Sequence, residues 1–309
     1  MNSAASGNAS GTALPVAFAA CCAGVAVFSV MDGAMKGLSL AIGVYNALLW
    51  RSVAGTVIGL ICMAVTRNPW PAGPALRIHM LRGVVATAMV MFFFFGLTRL
   101  PMAEGIALSF IAPLIALYLA ALMLGERIGR NVIFASLLGL AGVGVILSAR
   151  VSGDYDPRAL PGALSVLASA VLFAWNLILQ KQQAGLASPV EAAFFQHLVI
   201  LCVLGVAAPV FAIVPDTRHV PLVIAAAALA FLSLTLLTWA YARAEAQYLI
   251  PVEYSAFIWA AIMGWLAFGE HLTLTTLLGA ALIVTGCLIA ARRRPDIAHV
   301  EIDVGTGVA

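Results

Sequence analysis

The amino-acid sequence predicts an all-α polytopic membrane protein, with ten transmembrane helices forming two inverted five-helix repeats around a central cavity. Three observations predict it. The chain of 309 residues is 63% hydrophobic and only 9% charged, whereas a soluble chain needs roughly 25% charged residues to wet its surface. The hydrophobic share is about 195 residues, close to the ~200 that ten helices of ~20 residues use in crossing a bilayer. Finally, motifs of the first half return in the second at a nearly fixed offset, the mark of an internal repeat.

The apolar runs justify the spans in order. The first, 14–31, follows a tail (1–13) rich in Ala, Ser and Gly and expected to be disordered. That tail has no Lys or Arg and so no positive n-region, which makes the run a retained span rather than a cleaved signal. Runs 42–65 and 78–98 are divided by a loop from Arg67 to Arg77 with Pro69, Pro71 and Pro74. Runs 102–124 and 131–149 complete the first repeat (14–150). A connecting loop, 151–159, holds Gly153, Asp154 and Pro157. The second repeat (160–292) contains runs 160–180, 192–214, 221–243, 248–268 and 272–291, followed by a C-terminal tail, 293–309, expected to be cytoplasmic.

An even number of spans puts both termini on one side. Lys and Arg near the span ends set which side. With the termini inside, Arg67, Arg77, Arg82, Arg127, Arg130, Lys181, Arg243 and Arg292 to Arg294 are cytoplasmic, against Lys36, Arg51, Arg99, Arg150, Arg158 and Arg218 outside. The bias predicts cytoplasmic termini. The five cysteines (Cys21, Cys22, Cys62, Cys202, Cys287) lie in apolar runs without ligand or disulfide spacing, so they read as small apolar fillers. With a net charge of only +3 and no basic stretch interleaved with aromatics, nucleic acid is excluded as a partner.

The offset is specific. Adding 144 carries Gly125-Glu126 onto Gly269-Glu270 and Arg99 onto Arg243, and adding 145 carries Phe28 onto Phe173 and Lys36 onto Lys181. The same 144 places Ala112, Ala116 and Ala120 on Ala256, Ala260 and Gly264, a close-packing stripe in spans four and nine. Five spans per repeat is odd, so the second repeat enters the membrane inverted, as in secondary transporters with a midplane substrate site.

These residues resemble a known family. Gly125-Glu126-Arg127-Ile128 and Gly269-Glu270-His271-Leu272, each followed by a Leu-Leu-Gly helix (Leu137 to Gly139, Leu277 to Gly279), are similar to the EamA-type members of the drug/metabolite transporter superfamily. Phe28 with Lys36, and Phe173 with Lys181, resemble the first-helix pattern of that repeat. The resemblance covers roughly 15–150 and 160–292 and looks most like the YddG-like bacterial amino-acid exporters. It implies export of aromatic and other neutral amino acids across the inner membrane. Two departures stand out: the counterpart of Pro113 is Phe257, and the segment Glu126 to Gly139 is four residues longer than Glu270 to Gly279.

Intramembrane polar residues are costly and mark protein-facing or wet surfaces. On span six, Ser165, Ser169, Phe173, Asn176 and Gln180 fall within an arc of about 80°, readable as interhelical glue or as a cavity wall. Span eight offers Thr235 and Thr238, flanked by Trp239 and Tyr241, though a Thr hydroxyl can instead bond its own helix. Facing stripes with aromatic edges suit a zwitterion carrying a ring, which aromatic walls attract through area and cation–π contact. Pro113 frees the carbonyl of Ser109, beside its hydroxyl. Tyr254, by offset opposite Phe110, and Phe28 complete the candidate lining.

His79 and Arg82 open span three, placed to meet a substrate carboxylate or lipid phosphate. Asp32 and Lys36, four apart, can pair on one helix face; a buried Asp32 would instead be the candidate for proton coupling. Glu126 and Glu270, at helix ends, read as capping residues, and Phe92 to Phe95 and Trp175 as lipid or packing residues. The scattered histidines (His79, His197, His219, His271, His299) form no metal or catalytic cluster. No phosphate-binding Gly-Lys-Ser or Gly-Lys-Thr loop is present. The sequence thus predicts a carrier without cofactor or metal, not an enzyme, as a monomer or homodimer. Quaternary amines and nucleotide sugars are the alternative cargoes.

Overall fold

The structure is a computed structural model that describes residues 9–71, 73–124, 130–152, 158–241 and 252–291. Every regular element among them is helical. The first half holds α1 (Ala9–Ile42), α2 (Val44–Val65), α3 (Gly73–Leu97), α4 (Met102–Ser109), α5 (Ala112–Leu124) and α6 (Arg130–Ser152). The second holds α7 (Ala159–Ala184), α8 (Pro189–Phe211), a short 3₁₀ turn (Thr217–His219), α9 (Val220–Tyr241), α10 (Ala256–Phe268) and α11 (Leu274–Ala291). Among the described residues six segments are long and apolar enough to cross a membrane, among them Pro15–Ile42, Gly73–Leu97 and Pro189–Phe211, and shorter apolar helices lie in the other runs.

Several bounds differ from those the apolar runs predict. Helix α1 starts at Ala9, inside the segment expected to be a tail, and continues past residue 31 to Ile42, which brings Asp32 and Lys36 into its body. Helix α7 continues beyond residue 180 to Ala184, adding Gln183 to the polar arc. Polar residues ended the apolar runs, but a hydrogen-bonded backbone does not stop where the side chains turn polar. The Gly125–Ile128 motif with Glu126, Arg243 and the tail 293–309 lie outside the described residues, as do the side chains of Lys181, Thr238 and Tyr241.

The halves interlock. Helix α1 packs on α9 and α3 on α7, while α2 packs on α8 and α6 on α11. Exchanging the halves exchanges the first two pairs and maps each of the last two onto itself, so the pairing has twofold character. Small residues allow the close approach. A Cβ on Gly142 would lie 2.6 Å from the Gly279 carbonyl oxygen, and one on Gly279 would lie 2.7 Å from that of Gly142. Likewise a Cβ on Gly96 of α3 would lie 2.6 Å from the Gly162 carbonyl of α7.

Turn chemistry sets the junctions. Gly43 alone separates α1 from α2, at φ +80, a value that only glycine reaches without strain. Gly269 ends α10 at φ +64, with Gly269 N–H bonded to Trp265 O (3.0 Å) and Glu270 N–H to Gly264 O (3.1 Å). The Gly269 bond is the 5→1 bond of an αL cap. It fixes Glu270 immediately behind the helix end, which explains physically why the Gly-Glu pair belongs together.

Candidate functional site

Two helices are broken at matching places. Between α4 and α5 the chain turns at Phe110 and Ile111, with Ile111 N–H bonded to Leu108 O (3.3 Å). Pro113 sits in the first turn of α5, where a missing N–H is tolerated, and cannot continue the ladder to Ser109. In the second half, helical Val252 and Glu253 give way to a turn at Tyr254 and Ser255 before α10, and Ser255 N–H bonds Val252 O (2.9 Å). Residues 254 and 255 are 110 and 111 shifted by 144. The break thus recurs without a proline at the position that corresponds to Pro113, against the asymmetry that Phe257 there led one to expect.

The breaks meet. The Phe110 and Tyr254 rings stand edge to face, 5.1 Å between centroids and 88° apart. The Phe110 carbonyl, freed at the break, accepts from Cys287 Sγ of α11 at 3.1 Å. The Ser255 hydroxyl beside them is buried without a partner, which is costly unless a ligand or water completes it. Ser109 instead returns its hydroxyl to Gly105 O (2.9 Å) on its own helix.

Around this centre lie three buried polar clusters. In the first, the Lys36 ammonium pairs with Glu270 and also donates to Leu100 O at 2.7 Å, while the second Glu270 oxygen accepts from Met102 N–H at 2.7 Å. This corrects the expected Asp32–Lys36 pair: Lys36 is drawn to a carboxylate of the other half. The second cluster contains Asp32, 2% exposed, and Arg51, 5% exposed, which act on each other electrostatically. Arg51 Nη1 reaches Met31 Sδ at 3.5 Å, its guanidinium lies 6.0 Å over the Phe94 ring, and its Nε has no partner. Arg51 is therefore buried among these partners rather than exposed at a span end. His197 of α8 also faces Arg51 electrostatically and abuts Gly55, whose added Cβ would fall 2.5 Å from Nδ1.

The third cluster joins α3 to α7 and α8. Glu191 Oε1 meets His79 Nε2 at 2.9 Å, His79 Nδ1 meets Gln183 Nε2 at 2.6 Å, and Arg82 Nη1 donates to Gln183 Oε1. Arg82 Nε donates to Asn176 Oδ1 at 3.2 Å. His79 and Arg82 are buried, at 1% and 5%, so neither anchors to lipid phosphate. Sequence reasoning missed Gln183, though it continues the arc three residues beyond Gln180.

The remaining candidates are placed as follows. Ser165 and Ser169 donate to Phe92 O (2.8 Å) and Met89 O (2.9 Å) of α3, binding the helices together. Thr235 donates to Phe231 O (2.8 Å) on its own helix and is exposed, like Phe28, Phe173, Trp239 and Trp175. Gln180 is half-buried. A recess of about 530 Å³ lies not between the halves but on the outer face of α3, along Leu76, Arg77, Met80, Leu81 and Val84. The described cysteines are all free, and among the described residues none of the His, Cys, Asp and Glu form a metal-binding group.

Interlocked halves, matched helix breaks and buried charges between them define a multi-pass membrane carrier. The chain belongs to the EamA-like transporter family, whose model matches residues 15–148 and 160–292. It is 25% identical over 273 residues to the pseudopaline exporter CntI of Pseudomonas aeruginosa, covering 86% of this chain and 93% of that one. It is 30% identical over 237 residues to a riboflavin transporter of Rhizobium johnstonii, covering 76% and 74%. Similarity to the aromatic amino acid exporter YddG of Ancylobacter novellus is 30% over 133 residues, only 43% and 44% of the two chains. A solved crystal structure shares the fold at a TM-score of 0.57 and 21% identity, over 91% of this chain and 96% of that one.

Proposed function

We propose that this chain is a secondary transporter that exports small metabolites, foremost aromatic and other neutral amino acids, by alternating access across a bacterial inner membrane. Its ten spans form two inverted repeats with both termini in the cytoplasm. The observation that carries the reading is the pair of matched breaks touching at Phe110 and Tyr254 beside the unpartnered Ser255 hydroxyl. Broken helices at corresponding positions of two repeats present free backbone groups and aromatic faces to a midplane solute. Cargo binds against Ser109, Phe110, Tyr254 and Ser255 and engages the arc at Asn176 and Gln180 as the halves rock. Buried Asp32, opposite Arg51, couples the cycle to protons. The named cargoes of the relatives are chemically varied, so the amino-acid assignment rests on the aromatic, polar character of this centre.

The test is reconstitution of the full chain in liposomes and a release assay with radiolabelled aromatic and neutral amino acids, nucleotide sugars and quaternary amines, with and without a proton gradient. Movement of aromatic amino acids is expected. Movement of another cargo alone overturns the amino-acid assignment, and no movement of any solute by folded protein overturns the transport reading.

A further inference from the structure

The third polar cluster holds an arrangement of protons that has only one self-consistent form. The Gln183 amide oxygen accepts from Arg82, so its NH₂ must face His79 Nδ1, 2.6 Å away. An amide nitrogen only donates. Nδ1 is therefore bare and accepts, and the ring proton sits on Nε2, donated to Glu191 Oε1 at 2.9 Å. His79 is the neutral Nε2–H tautomer.

A second proton can only go to Nδ1. It would then point at the Gln183 NH₂, donor against donor. Turning the terminal amide over relieves this, and the torsion is close to twofold. The amide oxygen then accepts from His79, while the NH₂ turns towards Arg82, donor against donor again. Arg82 loses one acceptor and keeps Asn176 Oδ1 at 3.2 Å.

Three elements face His79. Helix α8 supplies the Glu191 carboxylate and the Phe195 ring, stacked 4.6 Å from the imidazole at 12°. Helix α7 supplies Gln183; its Lys181 side chain lies outside the described residues. On α3 itself the nearest charge is Arg82, beyond the amide. Among the described residues Arg82 has no carboxylate partner: its acceptors are the neutral amides of Asn176 and Gln183. Repulsion between the turned NH₂ and the guanidinium drives the Gln183 side chain aside, and a carboxylate takes the vacated place, since the planar fork and the charge both match.

We propose that Arg82 is a carboxylate-binding site that the Gln183 amide closes while His79 is neutral and opens when His79 is protonated. One proton and one carboxylate therefore enter the cluster together. The inference deepens the transport reading by making the cargo a carboxylate, but its test needs no transport.

The full chain in lipid nanodiscs is titrated with benzoate by calorimetry at about pH 6 and about pH 8, within the interval where histidine changes charge. Wild-type protein should bind benzoate about tenfold more tightly at the lower pH, Arg82→Gln at neither, and Gln183→Leu equally tightly at both. Equal or absent wild-type binding at the two pH values, or a wild-type pH dependence in Gln183→Leu, overturns the proposal. If Gln183→Leu does not fold, ¹⁵N NMR of His79 in the wild type decides. An Nε2–H tautomer at the higher pH that becomes doubly protonated with benzoate supports the relay, and an Nδ1–H tautomer overturns it. Benzoate binding of this pattern by a chain that moves no solute in liposomes would overturn the transport reading alone.

Discussion

Lys36 of α1 and Glu270, held behind α10 by its glycine cap, stand 234 positions apart and close one end of the molecule as a buried ion pair across the two halves. The carboxylate also accepts the Met102 N–H, so one side chain ties α1, the turn before α4 and the turn after α10 together.

Breaking that pair should cost stability. In Glu270→Gln the Lys36 ammonium, 5% exposed at its side chain, loses its counter-charge. Loss of one partner of a buried pair costs about 3–5 kcal/mol, and the 17% exposure of the Glu270 side chain puts the expected loss near the lower end. Unfolding of the variant in mild detergent measures it, with Lys36→Met/Glu270→Met recovering most of the loss. A single variant as stable as wild type would show that the pair holds nothing closed.

The contact between α6 and α11 depends on the absence of side chains. Gly142→Ala or Gly279→Ala would press a methyl against a carbonyl oxygen on the partner helix, and overpacking of this kind costs about 1–3 kcal/mol. Gly144, with nothing within 4 Å of an added Cβ, is the control: Gly144→Ala should stabilise by up to about 1 kcal/mol through helix propensity. Thermal midpoints of the three variants should therefore move in opposite directions.

At the meeting of the breaks, Phe110→Ala and Tyr254→Ala each remove one ring of an edge-to-face pair. Such a face contributes about 0.5–1.5 kcal/mol beyond its area, so each variant should raise the KM for an aromatic cargo several-fold to about tenfold. Tyr254→Phe keeps the ring and should stay near wild type. Equal KM values throughout would move the cargo site elsewhere.

Asp32→Asn should separate exchange from accumulation. Without an ionisable group opposite Arg51, the carrier should still swap labelled for unlabelled cargo across a liposome membrane and no longer concentrate it against a gradient when a pH difference is imposed. Undiminished accumulation would remove Asp32 from the coupling role.

Helix existence was legible because a span must be apolar along its whole length, and each predicted run is met by helix over most of its described residues, with interruptions at Gly43, Phe110 and Ile111, and Tyr254 and Ser255. Partnership was less so. Periodicity compares a residue only with its own helix, so Asp32 was the visible partner for Lys36 although Glu270 is the actual one. Arg51 read as a charge near a run end, yet tertiary packing buries it beside Met31 and Phe94. The first break announces itself through Pro113. The second is made by i to i−3 backbone bonds at Tyr254 and Ser255, a local geometry that packing imposes and composition does not encode. Gln183 was lost because the arc was cut where the apolar run stopped.

The reciprocal pairing of helices has a consequence for biosynthesis. Since α1 packs on α9, α3 on α7, α2 on α8 and α6 on α11, the principal neighbours of the first half are all synthesised after it. At about 5–20 residues per second, the nascent first half waits roughly seven to thirty seconds in the bilayer for its partner helices. Folding is therefore a post-insertional docking of two halves, and either half expressed alone is an unfinished surface exposed to membrane quality control.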